Sequence, residues 1–274
     1  MINLVVALVT EARPLIEHFS LRERNDARGF RIYEGDDMRL VISGLGKTAA
    51  AAGTAYLGGF AAAGANEAWL NVGAAGHANL SIGDGVHALR VSDDATGRNW
   101  YPPQIVGLPG TGSTFLTVDQ PEHDYSKDLV YEMECAAFYP TALHFSVREL
   151  VQSYKIISDN SQEPAHTVNK KKVRELVCDH IDHIGDIARE LSALAQELQN
   201  TAPKLADFDH FVGRWHFTVA QEHELRSVLQ QWAARAPERP VWDETINRCP
   251  SARSVLAELK ERIDGMPVKL AADS

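Results

Sequence analysis

The sequence predicts an α/β protein built on a central parallel or mixed sheet. Three observations carry this. Residues 2–9 (INLVVALV) form an unbroken aliphatic run of strand length, as expected of a strand buried on both faces. Short β-branched runs then alternate with helical patterns, the signature of strands crossed by helices. Near residue 168 an apolar period of three and four begins, and it continues to residue 199.

In chain order, residues 12–19 read as a short helix with Pro14 near its first turn. Residues 30–34 and 38–43 read as antiparallel strands joined by Gly35-Asp36-Asp37. The turn Gly44-Leu45-Gly46-Lys47 leads into an alanine-rich helix to about residue 64. Residues 67–72 are a strand ending at Gly73-Ala74-Ala75-Gly76, and 85–91 are the next strand. Residues 93–114 are rich in Gly, Pro, Thr and Asp and form a long loop of the functional or mobile kind. Residues 115–118 are a strand, 133–148 a helix and 153–158 the last strand. Residues 168–199 read as one amphipathic helix with Val173, Val177, Ile181, Ile184, Ile187, Leu191, Leu194 and Leu198 on its apolar face.

Pro203 marks a change of composition. Residues 219–236 and 251–264 read as two amphipathic helices separated by Pro237, Pro240 and Pro250. Two helices are too little for an independent core. The expected organisation is a main domain over 1–202 and a helical appendage over 203–274. The appendage would dock on that domain, on a second subunit or on a protein partner.

Bulk properties exclude several functions. The net charge of −10 repels phosphate backbones and anionic lipid, so neither nucleic acid nor a membrane surface is an expected partner. The basic run Lys170-Lys171-Lys172 reads as the solvated start of a helix. Cys135, Cys178 and Cys249 are dispersed without a CxxC pair, which suits a reducing cytosol. No apolar run reaches the roughly 18 residues of a membrane span. The first residues lack a basic region ahead of their apolar run and read as a strand, so a cytoplasmic protein is expected.

Five short segments carry chemistry: Thr10-Glu11-Ala12, Ser43 to Lys47 (SGLGK), Asn71 to Gly85 (NVGAAGHANLSIGDG), Glu132-Met133-Glu134, and Ile157-Ser158-Asp159. Each alone is weak. Glu11 reads equally as a helix-start acid, and Glu134 as an acid favoured by a helix dipole. Asp159 reads as a turn carboxylate in Ser158-Asp159-Asn160-Ser161. Gly44 to Lys47 lacks the spacing of a nucleotide phosphate loop. Asp179 and His183 fit a solvated helix face better than a metal site, and His210, His216 and His223 are scattered.

In this order and spacing the five segments resemble the nucleoside phosphorylase superfamily, and within it the bacterial methylthioadenosine/S-adenosylhomocysteine nucleosidases, over residues 1–200. The resemblance implies a three-layer nucleoside phosphorylase-like fold with a central mixed sheet. It implies a hydrolase that cleaves the N-glycosidic bond of a purine nucleoside, with a 5′-modified adenosine as the expected class. Cleaving that bond needs an acid at the leaving base, a holder for the sugar hydroxyls and a group that orients water. The resemblance gives these roles to Asp159, to Glu134 with Met133, and to Glu11. Glu132 completes the motif. Gly73 and Ala74 would bring backbone close to the sugar, and Phe115 and Leu116 would stack on the base, though both also read as plain core of a strand. Trp100 or Tyr101 would meet the 5′ group or cover the sheet edge. No metal or organic cofactor is implied, and the expected assembly is a homodimer.

The chain departs from the family pattern at three places. Ala74 stands where a serine or threonine is usual, Lys155 where arginine is usual, and the early acidic cluster is reduced to Glu11. There is no Gly-Asp-Pro-x-Arg turn for phosphate, and only Arg13 and Arg98 are placed to substitute. Lysine keeps the charge without the planar fork. Water is therefore the expected nucleophile, a phosphorylase the first alternative, and a divergent nucleoside-binding or scaffold module the second.

Overall fold

The computed structural model describes residues 1–60, 66–201 and 207–266. The chain divides into two compact units, Met1–Gln199 and Asn200–Ser274.

The first unit begins with β1 (Ile2–Val6), α1 (Val9–His18), β2 (Arg22–Glu23), β3 (Arg31–Glu34), β4 (Met38–Ile42) and α2 (Lys47–Phe60). Strands β5 (Ala68–His77), β6 (Gly85–Asp93), β7 (Asn99–Trp100), β8 (Thr111–Thr117) and β9 (Val130–Glu132) follow. Then come α3 (Cys135–Ala142), β10 (Val151–Asn160), α4 (Lys170–Asp179) and α5 (Ile181–Thr201). Residues 61–64 of the expected α2 helix lie outside the described residues.

The strands form one mixed sheet. Strand β1 pairs in parallel with β4 and β5, and β5 in parallel with β10. Strand β10 also pairs with β6, and β6, β8, β9 and β5 are joined in turn, so five strands close into a ring. Alternation along β1 separates the two faces. Leu4 and Val6 meet Leu15 of α1, Val177 of α4 and Ile184, Ile187 and Leu191 of α5. Val5 meets Leu57 of α2 and Phe138 and Ala142 of α3. This gives the three layers. Burying each such aliphatic side chain contributes about 1.5–3 kcal/mol.

Three expectations are corrected. Strand β5 does not stop at Val72 but runs through the glycine-rich turn to His77, because β10 and β9 supply backbone partners there. The helix expected over 168–199 is two, broken at His180. The buried His180 ring bonds to Tyr154 Oη (2.8 Å) and to the Gly83 carbonyl (2.7 Å), which draws the chain onto the sheet. The helix over 133–148 is confined to α3, with Glu134 as its N-cap.

The second unit holds α6 (Phe208–Arg214), α7 (Val219–Arg235), α8 (Glu244–Asn247) and α9 (Ala252–Asp264). Side chains of Thr218, Asp243 and Ser251 cap the last three by accepting bonds from backbone N–H groups. Contrary to the two-helix expectation, this unit has a hydrophobic cluster of its own, in which Phe208, Phe211 and Phe217 join Leu225, Trp232 and Leu259. The short helices and aromatic residues between the periodic segments supply what two helices lack.

No helix among the described residues is long and apolar enough to cross a membrane.

Candidate active site

The parallel strands β1, β4, β5 and β10 bring their C-terminal ends together, the place where open α/β sheets receive ligands. A cavity opens there, and Glu11, Glu122, Glu132, Glu134 and Asp159 line it. Among the described residues, no lysine, arginine or histidine does. A larger concavity of about 840 Å³ lies at the opposite strand ends, beside Ile2, Met38 and α5, but it holds none of the motif residues.

Glu11 stands in the first turn of α1 and is buried. Its Oε2 accepts from the Leu8 N–H (2.9 Å) and its Oε1 from the Ala74 N–H (2.8 Å). Burial raises its carboxyl above the usual 4.5, against the pull of Lys155 and these two N–H groups, and the Glu134 charge adds to the rise. Gly73 lies so close that a Cβ would come within 3.0 Å of Glu11 Oε1. Ala74 and Met133 line the cavity.

Glu134 Oε1 accepts from the Gly46 N–H at 2.9 Å. That is the task of the Gly44-Leu45-Gly46-Lys47 turn. Gly44 and Gly46 take φ of +90° and +88°, which side chains disfavour. Lys47 then ties the turn to Asp93 and Asp119, both at 2.8 Å.

Lys155 is buried beneath the carboxylates and does not line the cavity. Its Nζ lies 3.2 Å from Glu134 and 3.6 Å from Glu132. Burial works against its charge, but Glu134, with Cys135, Glu132 and Glu11 behind it, outweighs burial and raises the ammonium above the usual 10.5. Glu132 also accepts from the Glu134 and Cys135 N–H groups, both at 2.8 Å, and from Thr117 Oγ1. It anchors the start of α3 as well as lining the cavity. Burial pushes the Cys135 thiol well above its ordinary value, which removes it as a nucleophile.

Asp159 stands next to the end of β10, behind a register shift between Ile157 and Asp159, where Ser158 is the extra residue. Ser158 Oγ donates to Asp159 Oδ1, and Tyr125 Oη donates to Oδ2. Gly76 must lack a side chain here: a Cβ would lie 2.5 Å from Asp159 Oδ2 and 2.7 Å from the Tyr125 ring.

The structure thus brings Glu11, Met133, Glu134, Ala74 and Asp159 to one cavity, with Gly73 and Lys155 behind it. It does not bring Phe115 or Leu116. Phe115 is wholly buried among Val86, Val91 and Val130, and Leu116 packs on Tyr125 and Tyr131. Pro121, Glu122 and Tyr125, from the segment after β8, line the cavity instead. Arg13, Arg98, Trp100 and Tyr101 do not reach it. Sequence reasoning missed Tyr125 and Glu122, and it named Ser158 in its motif without its bond to Asp159. The register shift at Ser158 and the loop that carries the other two leave no periodic trace.

No protein-family model matches the chain. It is 33% identical over 128 residues to a 5′-methylthioadenosine/S-adenosylhomocysteine nucleosidase of Glaesserella parasuis serovar 5 (strain SH0165). That match covers 43% of this chain and 53% of the relative, so the chain spans about half the length of the curated relative it matches. The structure is similar to a 5′-methylthioadenosine/S-adenosylhomocysteine nucleosidase from Colwellia psychrerythraea 34H in complex with adenine, with TM-score 0.58 and 17% identity. This match covers 69% of this chain and 95% of that one. It is similar too to a futalosine hydrolase mutant of Helicobacter pylori strain 26695, with TM-score 0.57, 16% identity, and 69% and 98% of the two chains. Over the part that these structures cover, the fold is therefore nucleoside phosphorylase-like, and the resemblance read from the motifs is supported over part of the chain.

Proposed function

We propose that the chain hydrolyses the N-glycosidic bond of a purine nucleoside, with a 5′-modified adenosine as the substrate class. The observation that carries this is the pairing of Glu11 and Asp159 at one cavity whose lining, among the described residues, has carboxylates and no cation. In the reaction Asp159 gives a proton to N7 of the base, and the C1′–N9 electron pair leaves with the base. Water adds to C1′ as its proton passes to Glu11. Glu134, fixed by Gly46 and Lys155, accepts hydrogen bonds from the ribose hydroxyls, and Met133 packs beneath the sugar. Ser158 and Tyr125 hold the Asp159 carboxyl in place.

The acidic lining argues against phosphorolysis, since phosphate needs cations or unshared N–H groups. The Ala74 N–H is already given to Glu11. On this reading the chain forms a homodimer in the cytoplasm, which sedimentation and fractionation would test.

The decisive assay follows free base by chromatography from methylthioadenosine, S-adenosylhomocysteine, 5′-deoxyadenosine, adenosine and inosine, with and without phosphate. Base release without phosphate, lost in a folded Asp159→Asn variant, is the expected result. Release only with phosphate would make the chain a phosphorylase. Tight binding without release would make it a binding module.

A further inference from the structure

One acidic side chain that lines the cavity neither enters the mechanism above nor anchors α3. Glu122 lies in the segment between β8 and β9, three residues before Tyr125. Its Oε1 accepts from the backbone N–H groups of His123 (2.8 Å) and Asp124 (2.9 Å). Both bonds fall on one oxygen, so Oε2 is the oxygen left for a ligand. The Asp124 and His123 N–H groups also lower the carboxyl below the usual 4.5, so Glu122 is an anion at neutral pH. Its charge acts on the Tyr125 hydroxyl, the same hydroxyl that donates to Asp159. Glu122, Tyr125 and Asp159 line the same cavity.

On a purine, N7 and the 6-substituent are neighbours on one edge. Adenine presents an acceptor and an N–H donor there, and a 6-oxopurine presents two acceptors. With Asp159 at N7, a base in this cavity can turn its 6-substituent toward Glu122, which lines the same cavity. A carboxylate can only accept. It gains a hydrogen bond from a 6-amino group and meets a 6-oxo group lone pair to lone pair.

We propose that Glu122 is the residue that sets base specificity, accepting a hydrogen bond from the 6-amino group and rejecting 6-oxopurines. This rests on the nucleosidase reading, which places the base against Asp159. Glu122 belongs to none of the five motifs.

The test compares 5′-methylthioadenosine with 5′-methylthioinosine, which differ only at the edge in question, in the wild type, Glu122→Gln and Glu122→Ala. Calorimetry with free adenine and hypoxanthine runs beside it. The wild type should favour the 6-amino compound by about tenfold or more in kcat/KM, since a site built to pair one N–H leaves its acceptor unpaired with the wrong base. Glu122→Gln offers a donor as well as an acceptor. It should bring the ratio toward one, partly by gaining the 6-oxo substrate. Glu122→Ala should bring it toward one by losing the 6-amino substrate. A merely structural role would depress both substrates together and keep the ratio. An unchanged ratio in both variants, or a wild type that favours the 6-oxo compound, overturns the proposal while turnover preserves the nucleosidase reading. Neither turnover nor base binding in the wild type overturns both. Binding without turnover leaves the calorimetric ratio to decide.

Discussion

The first unit buries Glu11, Asp93, Glu132, Glu134, Lys155 and Asp159 alongside its hydrophobic clusters, whereas the second buries only apolar and aromatic side chains among the described residues. Ion pairs of the second unit, such as Arg262–Asp243 and Lys260–Glu224, stand at its surface. The difference has a physical reading. Apolar burial stabilises in proportion to area. Buried charge costs desolvation that a partner only offsets, so a charged cluster in a core is poor evidence of selection for stability. Where it coincides with a cavity at the strand ends, it marks the place where chemistry requires it.

Removing one buried group from each unit tests that contrast most severely. Lys155→Met leaves Glu11, Glu132 and Glu134 facing each other without a cation. It should destabilise by about 3–5 kcal/mol. Turnover per folded molecule should drop by about a thousandfold, because both Glu11 and Glu134 lose their alignment. Trp232→Ala in the second unit should cost a similar 3–5 kcal/mol or so through its cavity. Its turnover per folded molecule should equal the wild type. Urea unfolding with base release normalised to folded protein measures both. A Trp232 variant that folds fully and loses turnover would break the division of labour.

Acidity separates the regions by a smaller step. In the proposed reaction Glu11 must be ionised to take the proton from water, and burial raises its folded pKa above 4.5. Turnover should therefore fall as pH drops, starting above 4.5, by about tenfold per unit below the folded pKa. Stability runs the other way. A carboxyl with a raised folded pKa favours the fold below its unfolded value, and that contribution is lost as pH rises through the folded value. Profiles of kcat/KM and of thermal unfolding, in the wild type and Glu11→Gln, should show opposite trends, with the Glu11 part absent from the variant.

Legibility in the sequence follows the same divide. Layers of aliphatic packing announce themselves: the run at 2–9, the alternation of strands and helices, and the period of α7 and α9 all read directly from the residue pattern. The acidic groups were legible only as ordered motifs, since nothing in Glu132-Met133-Glu134 says which carboxylate anchors a helix and which faces a sugar. Long-range events were not legible. The extension of β5 depends on β10 and β9, and the break at His180 depends on Tyr154 and Gly83. Phe115 and Leu116 were misplaced because a buried strand and a base-stacking wall have the same composition.

The smallest expected effect makes a sharp comparison, because a side-chain donor can be removed from an aromatic residue in each unit. Tyr125 sits at φ +44°, in the left-handed region that a large side chain adopts only when its contacts hold it there. Those contacts are its bond to Asp159 and the bond its oxygen accepts from the Ala165 N–H. Burial, with the Asp159 carboxylate behind it, raises the phenol well above its ordinary value, so it stays a donor at every working pH. Tyr125→Phe keeps the ring and removes the hydroxyl. In the second unit, Trp215→Phe removes the indole N–H that bonds to the Cys249 carbonyl at 2.9 Å. Each loses hydrogen bonding worth about 1 kcal/mol of stability, and Trp215→Phe also gives up part of the ring packing on Phe211 and Trp242. Only Tyr125→Phe should reach the chemistry, lowering kcat/KM about three- to tenfold through a less constrained Asp159. If both variants lose stability and neither loses turnover, Ser158 alone holds the acid and Tyr125 is a wall of the cavity; if Tyr125→Phe slows turnover at unchanged KM, the phenol positions the acid.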